Sequence, residues 1–225
     1  MRRNLLRTAA IAVLVLALAG CAAKAVWKPL FESFDPNRTP GLINSFESAG
    51  TEETEDPNKL FTTDTDAMDD PRIVVYKSRH VLELVDGGIV MARMTVALGK
   101  HEGPKTKSGD GKTPEGLYYI CKLSDEGRYH KSLFISYPNS DDAQLAFQAE
   151  RITQDQYDKI SNAIDHGEIP PWNTKLGGEI AVSGTGTMGE GKTGDWTAGN
   201  VVLSDKDVDY LWQFVKEGTE VEIVP

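Results

Sequence analysis

Residues 72–77 (RIVVYK) and 81–85 (VLELV) are short runs rich in β-branched residues that predict two strands. Gly87-Gly88 then predicts a turn into a third. Along 89–98, Val90, Ala92, Met94 and Val96 alternate with their neighbours, the two-residue period of a strand with one buried face. A polar stretch, 99–113 (GKHEGPKTKSGDGKT), leads to Thr113-Pro114-Glu115-Gly116 and an aromatic strand, LYYICKL. Within 128–139 (RYHKSLFISYPN), Leu133, Ile135 and Tyr137 share the face of a further strand. The period then lengthens. Asp141 to Arg151 and Thr153 to Ile164 carry apolar residues at helical spacing, with Tyr157, Ile160 and Ile164 the clearer set and Thr153 as N-cap. A loop from His166 to Gly178 contains Pro170-Pro171-Trp172, whose indole fits either the core or the wall of a peptide site. Ile180 and Val182 mark another strand, and so does Val201-Val202-Leu203. Ser204, with Asp207 three residues on, caps a helix whose Val208, Leu211, Trp212 and Val215 form one buried stripe, placing Trp212 in the core. Gly218 ends that helix and TEVEIV closes the chain as a strand. The order predicts a β-rich α+β domain over 71–225, with no βαβ alternation and so no Rossmann or P-loop architecture.

Upstream the pattern changes. Arg2, Arg3 and Arg7 precede an apolar run, Ala9 to Leu18, and then Leu18-Ala19-Gly20-Cys21. The run is shorter than the roughly 20 residues a membrane span needs. It resembles a bacterial lipoprotein signal, residues 1–20, whose cleavage leaves Cys21 as a lipidated N-terminus. Ala22, in place of Asp, implies sorting to the outer membrane. Residues 21–70 read as a tether. Its first part holds Trp27, Leu30, Phe31 and Phe34, broken by prolines, and Glu47 to Asp70 holds nine acids against one base, Lys59. About fifty flexible residues reach about 40 Å. The whole chain carries 24 basic and 34 acidic residues, a net charge of −10. Loss of the signal removes three arginines and takes it to −13. So acidic a protein excludes nucleic acid as a partner. With Cys21 acylated, Cys121 is left without a disulfide partner, and its place in an apolar strand makes it a packed small residue.

Candidate chemistry concentrates between residues 178 and 205. Six glycines (184, 186, 189, 191, 194 and 199) separate the two predicted strands, and Trp196 is the large aromatic among them. Glycines let a backbone approach a ligand or another chain closely, so this loop is a plausible floor for a site. Elsewhere His80, His101, His130 and His166 are scattered, without the clustering a metal needs, and no cofactor motif is readable. His130 reads as a half-exposed histidine at a strand start.

The stretch is similar to the signature of the YkuD-type L,D-transpeptidases, in the branch with an Ile-x-Ile-His-Gly strand end followed by Asp-Trp-Thr-x-Gly-Cys. Ile180, Val182 and Gly184 fit the first half, and Asp195, Trp196, Thr197 and Gly199 fit the second. The Thr113-Pro114-Glu115-Gly116 turn and the Tyr137-Pro138-Asn139 ending resemble the same branch. The resemblance implies a β-rich sandwich domain with a few helices, and a cleft for peptidoglycan stem peptides formed by Tyr137, Asn139, Gly184, Trp196, Thr197, Gly199 and Asn200. The backbone amides around Gly199 and Asn200 would hold a carboxylate in that cleft. The family's reactive pair is absent, since Ser183 stands at its His and Asn200 at its Cys. A carboxamide cannot serve as the nucleophile, and a serine hydroxyl needs a base that no motif supplies. The sequence thus points to a lipid-anchored, periplasmic pseudoenzyme that binds stem peptides or an envelope protein. The alternatives are residual transpeptidase activity, amidase or peptidase activity with Ser183 as nucleophile, and a scaffold with a filled cleft.

Overall fold

In the computed structural model of the chain, residues 60–61 and 68–225 are described. Alternating apolar runs form strands there much as their period requires. Among the described residues the strands are β1 (Leu60–Phe61), β2 (Pro71–Tyr76), β3 (Val81–Asp86), β4 (Ile89–Thr95), β5 (Gly116–Ser124), β6 (Ser132–Ile135), β7 (Ala181–Ser183), β8 (Val201–Val202) and β9 (Glu220–Val224). They join in the order β1-β4-β3-β2-β9-β5-β6-β7-β8. The β2–β9 and β7–β8 pairs are parallel and the rest antiparallel.

Two features turn this order into an enclosed core. First, β5 belongs to both halves of the sheet. Residues Gly116–Tyr119 pair with β9, residues Ile120–Ser124 pair with β6, and the register shifts between Ile120 and Lys122. A bulge there bends the strand. Second, the chain beyond β4 meets the far edge, where Ala97 and Val202 exchange both backbone hydrogen bonds at 2.8 Å. Ile73, Leu84 and Met94 from one half, and Ile120, Leu133 and Val182 from the other, are buried in a single cluster between the two. The domain is α+β and β-rich, as its pattern predicts.

Among the described residues three α-helices complete it: α1 (Ser140–Gln148), α2 (Gln154–Asp165) and α3 (Asp205–Leu211). Asn139 and Thr153 close full capping boxes with Asp142 and Gln156, which satisfies amide groups that a helix start leaves open. Phe147 of α1 and Tyr157 of α2 stack at 5.7 Å over a second small cluster that includes Ile160 and Leu176. Ser204 Oγ accepts from the Asp207 amide at 3.1 Å and starts α3.

Several elements differ from the sequence expectation. The strand expected within 128–139 is confined to β6. After it, the Tyr137 amide bonds back to the Ile135 carbonyl at 2.8 Å, a tight turn that ends the extended run before α1. Trp212 follows α3 and is only partly buried against the core, with Lys131 Nζ 5.2 Å from its ring. β1 lies inside the segment read as tether, pairing Leu60 with Arg93 and Phe61 with Ala92. Cys21 and the signal lie outside the described residues.

Asp142 sets a pH dependence. It holds the α1 cap, accepting from the Asn139 amide at 3.0 Å and the Tyr118 hydroxyl at 3.1 Å. Burial outweighs both bonds and raises its carboxyl from 3.8 to about 6. The folded state therefore holds this proton more tightly than the unfolded chain. The resulting stabilisation is complete below about pH 4 and is lost as pH rises through 6, a change of about 3 kcal/mol. Asp142→Asn keeps an acceptor oxygen and cannot ionise. Urea unfolding at pH 4 and pH 7 should find the variant close to wild type at pH 4 and the more stable of the two at pH 7.

Candidate functional site

The signature begins on β7, all of whose residues are buried. Ser183 faces Ser132 across the β6 pairing and Val202 across the parallel β8 pairing. Its side chain has 0% exposure, and its hydroxyl has no hydrogen-bond partner among the described residues. The four histidines are engaged elsewhere. His80 Nε2 is 2.9 Å from Asp195 Oδ2, His130 Nε2 is 2.8 Å from Asp209 Oδ1, and the Nδ1 atoms of His101 and His166 donate to backbone carbonyls at 2.7 Å. Among the described residues no base therefore bonds to Ser183.

Past β7, the Gly184 amide donates to the Lys131 carbonyl at 3.0 Å, and a short turn over Gly186–Gly189 carries the chain outward. It returns at Asp195 and runs beside residues 98–100. Thr197 donates its amide to the Leu98 carbonyl at 3.0 Å and accepts from the Lys100 amide at 3.1 Å. Asp195 is held by the Leu98 amide at 2.9 Å as well as by His80. Thr197, 1% exposed, donates its hydroxyl to the Asn200 carbonyl at 2.7 Å and accepts from the Gly199 amide at 3.1 Å. That amide is thus directed into the turn, not at a ligand.

Asn200 is half-buried, and its Oδ1 accepts from the Ala181 amide at 3.2 Å. The side chain stands in for a backbone carbonyl at the start of the β7–β8 pairing. Trp196 is half-buried, and a β-carbon on Gly189 would lie 3.2 Å from its Cζ2. Tyr137 has 0% exposure and belongs to the core, its ring centroid 6.2 Å from that of Tyr118. Asn139 is 8% exposed, caps α1 and donates through Nδ2 to the Leu117 carbonyl at 3.0 Å. Thr197, Gly199 and Asn200 thus come together on the return loop by the start of β7, Gly184 lies past the other end of β7 against His130 and Asp205, and Tyr137 and Asn139 serve the core and a helix start. Trp172 is half-buried, its ring 5.7 Å from Phe134.

The loop over 99–113 is fixed against this return. Thr113 Oγ1 accepts from the Gly99 amide at 2.9 Å. Lys105 and Asp110 form a buried pair at 2.9 Å. Burial pushes Asp110 up, but the bonds from Thr106, Lys105, Lys107 and Lys112 outweigh it and hold the carboxyl below its ordinary value. Cys121 is buried, and burial pushes its thiol up to about 11, away from a reactive thiolate. Two pairings escaped the sequence, His80 with Asp195 and Lys77 with Glu115 at 2.6 Å. Asp195 lies in the signature, yet nothing local marks His80, 115 positions away, as its partner.

Fold and signature together define an L,D-transpeptidase type of domain. Residues 70–223 match the family model of the YkuD L,D-transpeptidase catalytic domain, and the chain belongs to that family. Among solved structures it is similar to the L,D-transpeptidase of Xylanimonas cellulosilytica, at 14% identity and TM-score 0.42, covering 73% of this chain and 65% of that one. The helical cell shape determining protein Pgp2 of Campylobacter jejuni is similar at 18% identity and TM-score 0.47, covering 69% and 48%. Bd1075 of Bdellovibrio bacteriovorus is similar at 19% identity and TM-score 0.42, covering 74% and 52%. The chain thus spans from 48% to 65% of the length of these three solved chains. None of the curated proteins matches it.

A buried hydroxyl without a partner is a net cost to the fold. Ser183→Ala removes that hydroxyl and leaves the methylene packing in place. The variant should be more stable than wild type by about 1 kcal/mol, read from chemical unfolding at pH 7. A loss of stability would mean that the hydroxyl has a partner in solution.

Proposed function

We propose that this protein is a periplasmic lipoprotein, anchored to the outer membrane through Cys21, that binds peptidoglycan stem peptides without catalysing their exchange. What supports this reading is the state of the two reactive positions. The Ser183 hydroxyl is sealed from solvent with no base in reach, and the Asn200 side chain is committed to the Ala181 amide. Acyl transfer by the family's route needs a thiolate and a base. Loss of one member of such a pair costs on the order of a million-fold in turnover. Hydrolysis through Ser183 would need access to the hydroxyl as well as a base; the residue has 0% exposure, and among the described residues no group bonds to its hydroxyl. Stem peptides are the ligand class that family membership supports. Trp196, half-buried at the mouth of the glycine-rich return, is the aromatic best placed to anchor one.

Stem-peptide fragments incubated with the purified chain should be neither cross-linked nor shortened. Turnover that disappears in Ser183→Ala would overturn the reading. Calorimetry should detect binding, weakened in Trp196→Ala by about 2 kcal/mol while the thermal melt stays cooperative. Absence of binding by a folded wild-type protein would leave only a scaffold.

The anchor is tested separately. Cells fed a fatty-acid probe should label the wild type and not Cys21→Ser. Equal labelling of both, or of neither, would remove the lipoprotein assignment.

A further inference from the structure

Three segments of the chain meet at the turn Thr106–Ser108, and each brings a basic residue. Arg151, between α1 and α2, donates from Nη1 to the Thr106 carbonyl at 2.8 Å. The Ser108 amide donates to the Lys175 carbonyl at 2.8 Å, and a β-carbon on Gly177 would lie 3.2 Å from Ser108 Cβ. Lys107 stands between these two contacts. Lys107 and Lys175 are exposed and Arg151 is half-buried. Side chains as long as these can converge on one small group.

The turn itself is firmly built. Asp110 accepts from Lys105 Nζ at 2.9 Å and the Lys112 amide at 3.2 Å through Oδ1, and from the amides of Thr106 at 2.8 Å and Lys107 at 3.0 Å through Oδ2. Four bonds fill the acceptor sites of this carboxylate, so it is not available to the outer cations. Among the described residues no carboxylate pairs with Lys107, Arg151 or Lys175, not even Glu150, which precedes Arg151 in the chain. In a chain of net charge −10, the turn is thus a local excess of positive charge.

The carbonyls that bind the segments together are already taken: that of Thr106 by Arg151, that of Lys107 by Lys105 Nζ at 3.1 Å, and that of Lys175 by Ser108. The two outer ammonium groups and Arg151 Nη2 make no bond among the described residues, and neither do the hydroxyls of Thr106 and Ser108, which can donate as well as accept. Arg151 adds an independent sign. Its Nε is buried without a hydrogen-bond partner, and a buried donor left without an acceptor is rare in a folded protein. Nε and Nη2 together form the edge of a guanidinium that pairs side-on with an oxyanion. A carboxylate would bring one charge. A phosphate monoester brings nearly two, and three strong acceptor oxygens for cations from three segments.

We propose that the turn Thr106–Ser108, with Arg151 and Lys175, binds the phosphate group of a small, soluble phosphomonoester. The site is independent of whether the signature binds stem peptides. The test uses the full chain in detergent micelles, titrated with inorganic phosphate and glycerol 3-phosphate, with acetate and chloride at matched ionic strength as controls, and followed by amide NMR shifts. Both phosphates should shift Lys107, Ser108 and Lys175 saturably, and the controls should not. Lys107→Gln combined with Lys175→Gln, both on exposed side chains, should weaken phosphate binding about tenfold with an unchanged melting temperature. Equal shifts from acetate or chloride, no saturable shift from phosphate, or unaltered affinity in the double variant would each overturn the proposal. Micelles doped with phosphatidic acid separate a lipid source from a soluble one. A tighter response to them than to glycerol 3-phosphate would assign the turn to a membrane surface and overturn the soluble ligand.

Discussion

Close packing of three backbone segments is the constraint on which this domain depends. Residues 97–100, 111–113 and 197–202 meet where the sheet closes, with no room for side chains between them. A β-carbon on Gly99 would fall 2.5 Å from the Gly111 carbonyl oxygen, and one on Gly199 would fall 2.7 Å from that of Lys112. Gly199 also has φ +137°, a conformation that only glycine adopts without strain. The closing bonds between Ala97 and Val202, the Thr197 ladder to residues 98 and 100, and the Thr113 hydroxyl on the Gly99 amide all require this approach. A substituent at either glycine would separate the far edge of the sheet from the strand that completes it.

This junction explains the division between what the chain discloses locally and what it does not. Alternation along 72–96 marks β2 to β4, and the caps at Thr153 and Ser204 mark α2 and α3, because those signals depend on neighbours a few residues away. The parallel β7–β8 pair, the shared strand β5 and the contact of Ala97 with Val202 join segments distant in sequence, and no period records them. Tyr137 shows the same limit at a single residue. Its place on the face of Leu133 and Ile135 is legible, whereas the turn that carries it into the core is set by contacts with Tyr118 and Leu176. Of the candidate site, the signature positions were legible through their resemblance to the family's motif, but the bonds that occupy them were not.

Those bonds show how residues 183 and 200 are fitted into the frame of the sheet. Asn200 offers an acceptor oxygen where the Ala181 amide needs one, so the β7–β8 pairing is satisfied at its first residue. Ser183 fills its buried position without a polar partner among the described residues, a cost of about 1–3 kcal/mol that a large core can absorb. Both residues are compatible with the fold.

The parts of the signature that fit the family pattern are those with mechanical duties here. Asp195 ties the return loop to Leu98 and His80, the Thr197 hydroxyl holds two backbone groups of its own turn, and Gly199 admits the Lys112 carbonyl. Each would be needed to close the sheet whether or not a nucleophile stood at residue 200. A match to Asp-Trp-Thr-x-Gly is therefore evidence about architecture, and the chemistry must be read from residues 183 and 200 themselves. The same reasoning separates Trp196 from its neighbours in the motif. Its indole is half-buried, and among the described residues no bond that closes the sheet passes through its side chain.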